Sequence, residues 1–256
     1  MKVFLTVLLL VCVAAVLIFG NRHWNEQISK HHHPADVNTV KVEDHNKAST
    51  TASLLFTKNW PKESVAEFEK KLKADEPYQI LLVGAKSKTE KDWTEAVISA
   101  MKETYGETIR IDVLDYDLTS TAFVQQEKQK DLIEAKADMI LLEPFTLNDN
   151  GEVITENSLA NITTILTEVR ASKPTTTVIL QPPYPLFNAK FYPRQVEALQ
   201  KYAEEEKLPY LNHWQAWPDD QSEDLKQYLI EDLSAPNEAG YDLWSSYLVD
   251  YFIAKP

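Results

Sequence analysis

Three short apolar runs, at 80–83, 139–142 and 177–180, constrain this chain more than any other feature. A strand with one wet face alternates apolar and polar residues, whereas an unbroken apolar run must be covered on both faces. Helical periods separate the runs. Lys62 to Lys73 opens behind Pro61, a favoured first-turn residue. Trp93, Ala96, Val97 and Ala100 repeat at helical spacing, and a polar helix is expected over about Ala122 to Ala135. Leu159, Ile162, Leu166 and Val169 mark the next helix, then Tyr192, Val196, Leu199 and Ala203, and finally Tyr241, Trp244, Leu248 and Phe252. Ile109, Ile111 and Val113 alternate with polar residues, and a short strand is expected near Tyr210 and Leu211. Five strands alternating with helices call for a parallel sheet between two helical layers. The apolar runs take the centre and the other two strands the edges, giving the order 2-1-3-4-5. The expected fold is α/β, a three-layer sandwich.

The N-terminus adds a second constraint. Val3 to Phe19 is apolar apart from Thr6 and follows Lys2. At about 1.5 Å per residue it reaches roughly 26 Å, close to the thickness of a hydrocarbon core. A cleaved secretion signal would want small residues just before its cut site, yet Ile18 lies two before Gly20 and the small pair Ala14–Ala15 sits deep inside the run. A lipid anchor on Cys12, the single cysteine, is disfavoured by Val11 before it. The preferred reading is an uncleaved single-pass anchor over residues 1–20, a juxtamembrane linker over 21–53, and one α/β domain over 54–256 on the outer side of the cell membrane. A domain of about 200 residues can bury its core without disulfides.

The linker carries His23, His31, His32, His33 and His45. Without fixed geometry they read as a solvated tether, so no metal site and no cofactor is expected. The chain has 26 Lys+Arg against 39 Asp+Glu, a net charge of −13. Such a surface repels phosphate backbones, so nucleic acid is excluded as a partner.

In a sheet of this order, ligands bind beyond the carboxyl ends of the strands, where the strand order reverses. The loops meeting there are Gly84-Ala85-Lys86-Ser87, Asp115 to Ser120, Glu143 to Gly151, Gln181 to Pro185, and Asn212-His213-Trp214, with Asp232 to Glu238 ahead of the last helix. Two of these segments carry a resemblance. Leu147-Asn148-Asp149 resembles the third sequence block of the SGNH/GDSL hydrolases. Asp232-x-x-Ala235-Pro236-Asn237-x-x-Gly240-Tyr241 resembles their fifth. The similarity runs over about residues 78–254. It implies the flavodoxin-like SGNH hydrolase fold and an esterase or deacetylase activity on acyl esters. In that family a first-loop Ser attacks, a Gly and an Asn stabilise the oxyanion, and an Asp-x-x-His pair activates the Ser.

This chain departs from the pattern where the chemistry is decided. Lys86 stands at the nucleophile position with Ser87 next to it, the second-loop glycine is missing from Asp117 to Thr121, and Ala235 replaces the histidine. His213 is the only histidine of the domain, so a rewired relay would use Ser87 as nucleophile, His213 as base and Asp232 as its orienting carboxylate. Gly84, Asn148 and Glu143 are the candidate oxyanion and substrate-binding residues. Glu143 leaves a buried strand ahead of Pro144, which suits a general acid or base, or an acceptor of loop hydrogen bonds. Phe145, Tyr184, Phe187, Trp214 and Trp217 suit either sugar recognition or loop packing. Three expectations follow: an envelope esterase with a non-standard triad acting on an acylated envelope glycan or small ester; an inactive SGNH-fold domain that binds an envelope glycan or a protein; and, least favoured, a hydrolase pairing Glu143 with Asp232 across a cleft. The first two differ in whether Ser87 and His213 come within hydrogen-bonding reach.

Overall fold

The computed structural model describes residues 53–255. The expected anchor and all but the last residue of the expected linker lie outside the described residues. Among the described residues, no helix is long and apolar enough to cross a membrane.

Four parallel strands form the sheet: β1 (Tyr78–Ala85), β2 (Ile109–Tyr116), β3 (Met139–Leu142) and β4 (Thr177–Leu180), in the order β2-β1-β3-β4. Ile80 pairs with Met139, and Met139 with Thr177, so the three apolar runs lie in register at the heart of the sheet. Their side chains divide between two cores as a period of two requires. Ile80, Leu82, Met139, Leu141 and Ile179 face one layer; Leu81, Val83, Ile140, Leu142, Val178 and Leu180 face the other. This is why the runs carry no alternation. β2, at the edge, alternates in burial from Arg110 to Asp112 and leaves Val113 exposed.

The first layer holds α1 (Lys62–Lys73), α2 (Thr94–Tyr105) and the terminal helix α8 (Glu238–Phe252). Their Phe68, Val97, Met101, Trp244, Leu248 and Phe252 seal that face. The second layer holds α3 (Ser120–Gln125), α4 (Gln129–Glu134), the single-turn α5 (Thr146–Asp149), α6 (Thr155–Ser172) and α7 (Tyr192–Glu205). Phe123, Leu132, Ile162, Ile165, Leu166 and Leu199 are buried there.

Two expectations on secondary structure are corrected. The fifth strand is a single bridge between Leu180 and Tyr210. Leu180 N–H reaches Pro209 O at 2.9 Å and Leu211 N–H reaches Leu180 O at 2.8 Å; then the chain turns away into the 3-10 turn His213–Ala216. Pro209 has no N–H to extend a ladder, so the segment takes the fifth place without becoming a strand. The helix expected over 122–135 is two helices. Glu127 adopts a left-handed φ of 56°, and Lys128 N–H closes back on Phe123 O at 3.0 Å. That is a Schellman-type stop built without glycine.

Candidate functional site

The loops after β1, β2 and β3 and the start of α8 enclose a cleft at the carboxyl end of the sheet. Its inner part, about 420 Å³ including the mouth, is lined by Ala85, Ser87, Trp93, Glu143, Tyr184, Tyr241 and Trp244, among others. An outer basin of about 1080 Å³, open to solvent, continues past Lys86, Lys88, Asp117, Thr119 and Asn148. Lys86 and Asn148 line both parts. Of the stretches expected to converge, those after β1, β2, β3 and β4 do so, while Asn212 to Trp214 and Asp232 to Glu238 contribute no lining residue.

The basin depends on a residue whose part the sequence did not disclose. Asp149 is fully buried and accepts Ser120 N–H at 2.7 Å on Oδ1 and Ser120 Oγ–H at 2.6 Å on Oδ2. Asn161 Nδ2 then donates to Ser120 Oγ at 3.0 Å. This clamp holds the β2–α3 loop against the β3–α5 turn and so sets Asp117 to Thr119 opposite Asn148. Asn148 itself, half-buried, makes no side-chain hydrogen bond among the described residues, which leaves its amide for a ligand.

Glu143 forms part of the inner wall. Its N–H bonds Val83 O at 2.9 Å, and Phe145, left-handed at φ 61°, returns its N–H to Glu143 O at 3.0 Å. That turn aims the carboxyl inward at 2% exposure. Oε2 accepts Ala85 N–H at 3.2 Å, while Oε1 is buried without a partner. Burial raises the acid to about 7, and the Ala85 N–H offsets only part of that rise. A Cβ on Gly84 would stand 2.8 Å from Glu143 Oε2, so the carboxyl would have to shift to admit one. Gly84 therefore makes room for a carboxyl.

The expected Ser87–His213 pair does not form. Ser87 Oγ donates to Lys91 O at 2.6 Å, accepts Thr89 N–H at 3.1 Å, and lies 2.9 Å from the Tyr241 hydroxyl. A carbonyl can only accept, so with the serine hydrogen on Lys91 O it is Tyr241 that donates to Ser87. His213 is fully buried, stacked on Trp244 at 4.4 Å. Trp217 Nε1, which can only donate, lies 3.0 Å from Nδ1, and Nε2 lies 2.8 Å from Pro182 O, which can only accept. The two contacts fix the neutral tautomer with its proton on Nε2 and leave neither nitrogen free. Burial holds this imidazole down at about 3, against the smaller opposing effect of Pro182 O. It is a packed core residue with no lone pair to offer a serine.

Asp232 does not orient it. Its carboxylate is exposed and accepts the side chain and N–H of Ser234, at 2.6 and 3.0 Å, and these bonds hold its pKa below the usual range. The final helix is capped instead by Asn237, whose Oδ1 accepts Gly240 N–H at 3.1 Å. Asp232 lies at the surface beside the cleft, within electrostatic reach of Lys88, and Tyr184 donates to the neighbouring Ser234 O at 2.8 Å. It lines neither part of the cleft, so the expected partnership of Glu143 and Asp232 across it is corrected as well.

The aromatic set is revised in the same way. Tyr184 lines the cleft, but Phe145 packs on Phe123 at 4.9 Å in the other core, and Lys226 covers Phe187. Trp214 and Trp217 border a different groove, together with Pro185 and Pro218. The other rings that line the cleft, Trp93, Tyr241 and Trp244, carried only a helical packing signal in the sequence. Among the described residues no group of three His, Cys, Asp or Glu is placed to hold a metal ion.

No family model matches the sequence, and no curated protein matches it. Solved structures do match. An acetylxylan esterase from Geobacillus stearothermophilus superposes with a TM-score of 0.54 at 14% identity, over 68% of this chain and 94% of that one. A carbohydrate esterase family 3 protein from Talaromyces cellulolyticus gives 0.56 at 13% identity, over 67% and 94%. A GDSL-like lipase from Bacteroides thetaiotaomicron gives 0.51 at 14% identity, over 81% and 96%. The chain thus spans nearly the whole of each neighbour, and its α/β domain has the SGNH/GDSL hydrolase fold in a divergent form.

Proposed function

We propose that this protein is a non-hydrolytic SGNH-fold receptor, displayed on the outer face of the membrane by residues 3–19, that binds an envelope glycan in the cleft above the sheet. The observation that supports this most is the state of His213. Both ring nitrogens are engaged and the ring is buried, so His213 cannot serve Ser87 as a base, and the serine's own hydrogen is committed to Lys91 O. A serine hydroxyl without a base is a poor nucleophile, and losing a relay member costs several powers of ten in rate. What remains is a cleft with aromatic walls, a free amide on Asn148 and a carboxyl on Glu143, groups suited to holding a polyhydroxylated ligand.

Three measurements on the full chain in detergent test this reading. Fluorophosphonate probes should leave it unlabelled, aryl acetates should turn over no faster than with Ser87→Ala, and O-acetylated oligosaccharides should bind without losing acetate. Stoichiometric labelling at one serine, with acetate release, would restore the esterase reading. Protease added to intact cells should remove the domain; full protection would refute its placement outside.

A further inference from the structure

Resting on the glycan-receptor reading above, one feature of the cleft narrows the ligand class. We infer that the ligand carries a fixed negative charge beside its hydroxyls, as a polyol phosphate or a uronate does, with a hydroxyl at Glu143 Oε1 and the anion between Lys86 and Lys88.

The inner end supplies the first half of the argument. Glu143 is 2% exposed, lines the cleft, and has Oε1 without a partner. A buried oxygen left without a hydrogen bond is costly, so a group that completes it gains in selectivity. Trp93, Tyr184, Tyr241 and Trp244 border the same space. A hydroxyl on a carbon skeleton fits both the oxygen and the rings; a bare ion fits neither.

The outer basin supplies the second half. The chain is acidic overall, and Lys91 beside the cleft is neutralised by Glu238. Lys86 and Lys88 are exposed at the basin and form no ion pair among the described residues, although the Asp232 carboxylate lies within electrostatic reach of Lys88 and Asp92 shares the inner lining with both. Asp117 is the only carboxylate lining the basin, against these two ammonium groups, with Thr119 and Asn148 as neutral hydrogen-bonding neighbours. A negatively charged protein that keeps two lysines out of ion pairs at the mouth of its cleft offers an anion its best seat there. The Asp149–Ser120 clamp fixes the far wall.

The test titrates the full chain in detergent with three oligomers of matched length: poly(glycerol phosphate), galacturonan, and an uncharged xylan. Inorganic phosphate serves as a ligand lacking carbon hydroxyls. One or both anionic oligomers should bind at least about tenfold more tightly than the uncharged one, and which of them does so distinguishes phosphate from carboxylate. The preference should fade above a few hundred millimolar salt, where screening reaches within a few ångströms. Lys86→Ala with Lys88→Ala, both exposed, should erase most of the roughly tenfold preference for the anionic oligomer over the uncharged one. Inorganic phosphate should bind at least about tenfold more weakly than the phosphate oligomer. Equal binding of charged and uncharged oligomers overturns this inference but leaves a glycan receptor standing. Anion binding indifferent to the lysine pair overturns the site. Failure of every oligomer to bind overturns both the inference and the receptor reading, and ester turnover overturns the receptor reading alone.

Discussion

Replacing Glu143 by glutamine separates the cost of its charge from its packing, because the amide keeps the shape and removes the titration. In the folded protein the acid titrates at about 7, against an ordinary value of 4.5, because it is buried. The folded state therefore holds this proton more tightly than the unfolded chain does. Stability from the neutral acid is fully present below pH 4.5 and is lost as the pH rises through 7. At about 1.4 kcal/mol per pH unit, the interval from 4.5 to 7 amounts to roughly 3 kcal/mol. Glu143→Gln escapes that loss. Its carbonyl oxygen continues to accept Ala85 N–H, and its NH2 meets the side on which Oε1 has no partner, at a cost independent of pH. The expected result is thus a change of slope rather than a fixed offset. Between pH 4.5 and 8 the parent should lose about 3 kcal/mol relative to Glu143→Gln, or roughly 6–12 °C of melting temperature for a domain of this size. Calorimetry of both proteins at matched pH reads this directly. His213, held at about 3 against an ordinary 6.5, contributes the opposite slope, gaining stability as the pH rises. It is present in both proteins and cancels in the comparison. Parallel curves across that window would refute the claim that Glu143 sits in an uncompensated, water-poor site.

Two further substitutions test the scaffold of the cleft. Asp149→Ala removes both acceptors of Ser120 and strands a buried N–H, so urea denaturation should show a loss of about 3–5 kcal/mol, and a loss under 1 kcal/mol would deny the clamp. Gly240→Ala sets a Cβ 2.3 Å from Tyr228 O and 3.1 Å from the Trp217 ring, so it should cost at least about 2 kcal/mol, and an unchanged melting temperature would show that the α8 entrance can relax.

The sheet was legible because its centre leaves no choice. Ile80–Val83, Met139–Leu142 and Thr177–Leu180 are short, apolar and separated by helical periods, and only a strand covered on both faces accommodates all three. The fifth strand was overread because the register of Tyr210 and Leu211 resembles a strand locally, while Pro209 and the immediate turn at His213 restrict it to one bridge. The helix break at Glu127 gave no local sign, since its left-handed residue is neither glycine nor asparagine. Of the site, Glu143 and Asn148 could be found from their place after β3. What could not be found was who faces whom. Trp217, four residues after His213, takes its Nδ1, and Trp244 from the last helix stacks on the ring. Tyr241 reaches Ser87 across 154 residues of chain. Such contacts follow from the docking of α8, and a periodic pattern of apolar residues records that a helix docks without recording what its rings touch.

The way the terminal block is used sharpens the point. Gly240 and Asn237 persist for backbone reasons that hold whatever the cleft does. A Cβ at Gly240 would strike Tyr228 O, and Asn237 caps α8 while its Nδ2 donates to Gln227 O and Leu229 O. Asp232 likewise closes a turn on Ser234. Each of these residues is explained by folding alone, so their presence carries no argument for an intact relay, and Ala235, where the resemblance would place a histidine, is packed in the core at 0% exposure. Glu143 and the Lys86–Lys88 pair are the reverse case. An unpartnered buried oxygen and two lysines outside any ion pair add no hydrogen bond or salt bridge to the described fold, and burying the carboxyl costs it stability above neutral pH. Groups that a fold retains at a loss, gathered along one cleft, are better explained by what enters that cleft than by the structure that carries them.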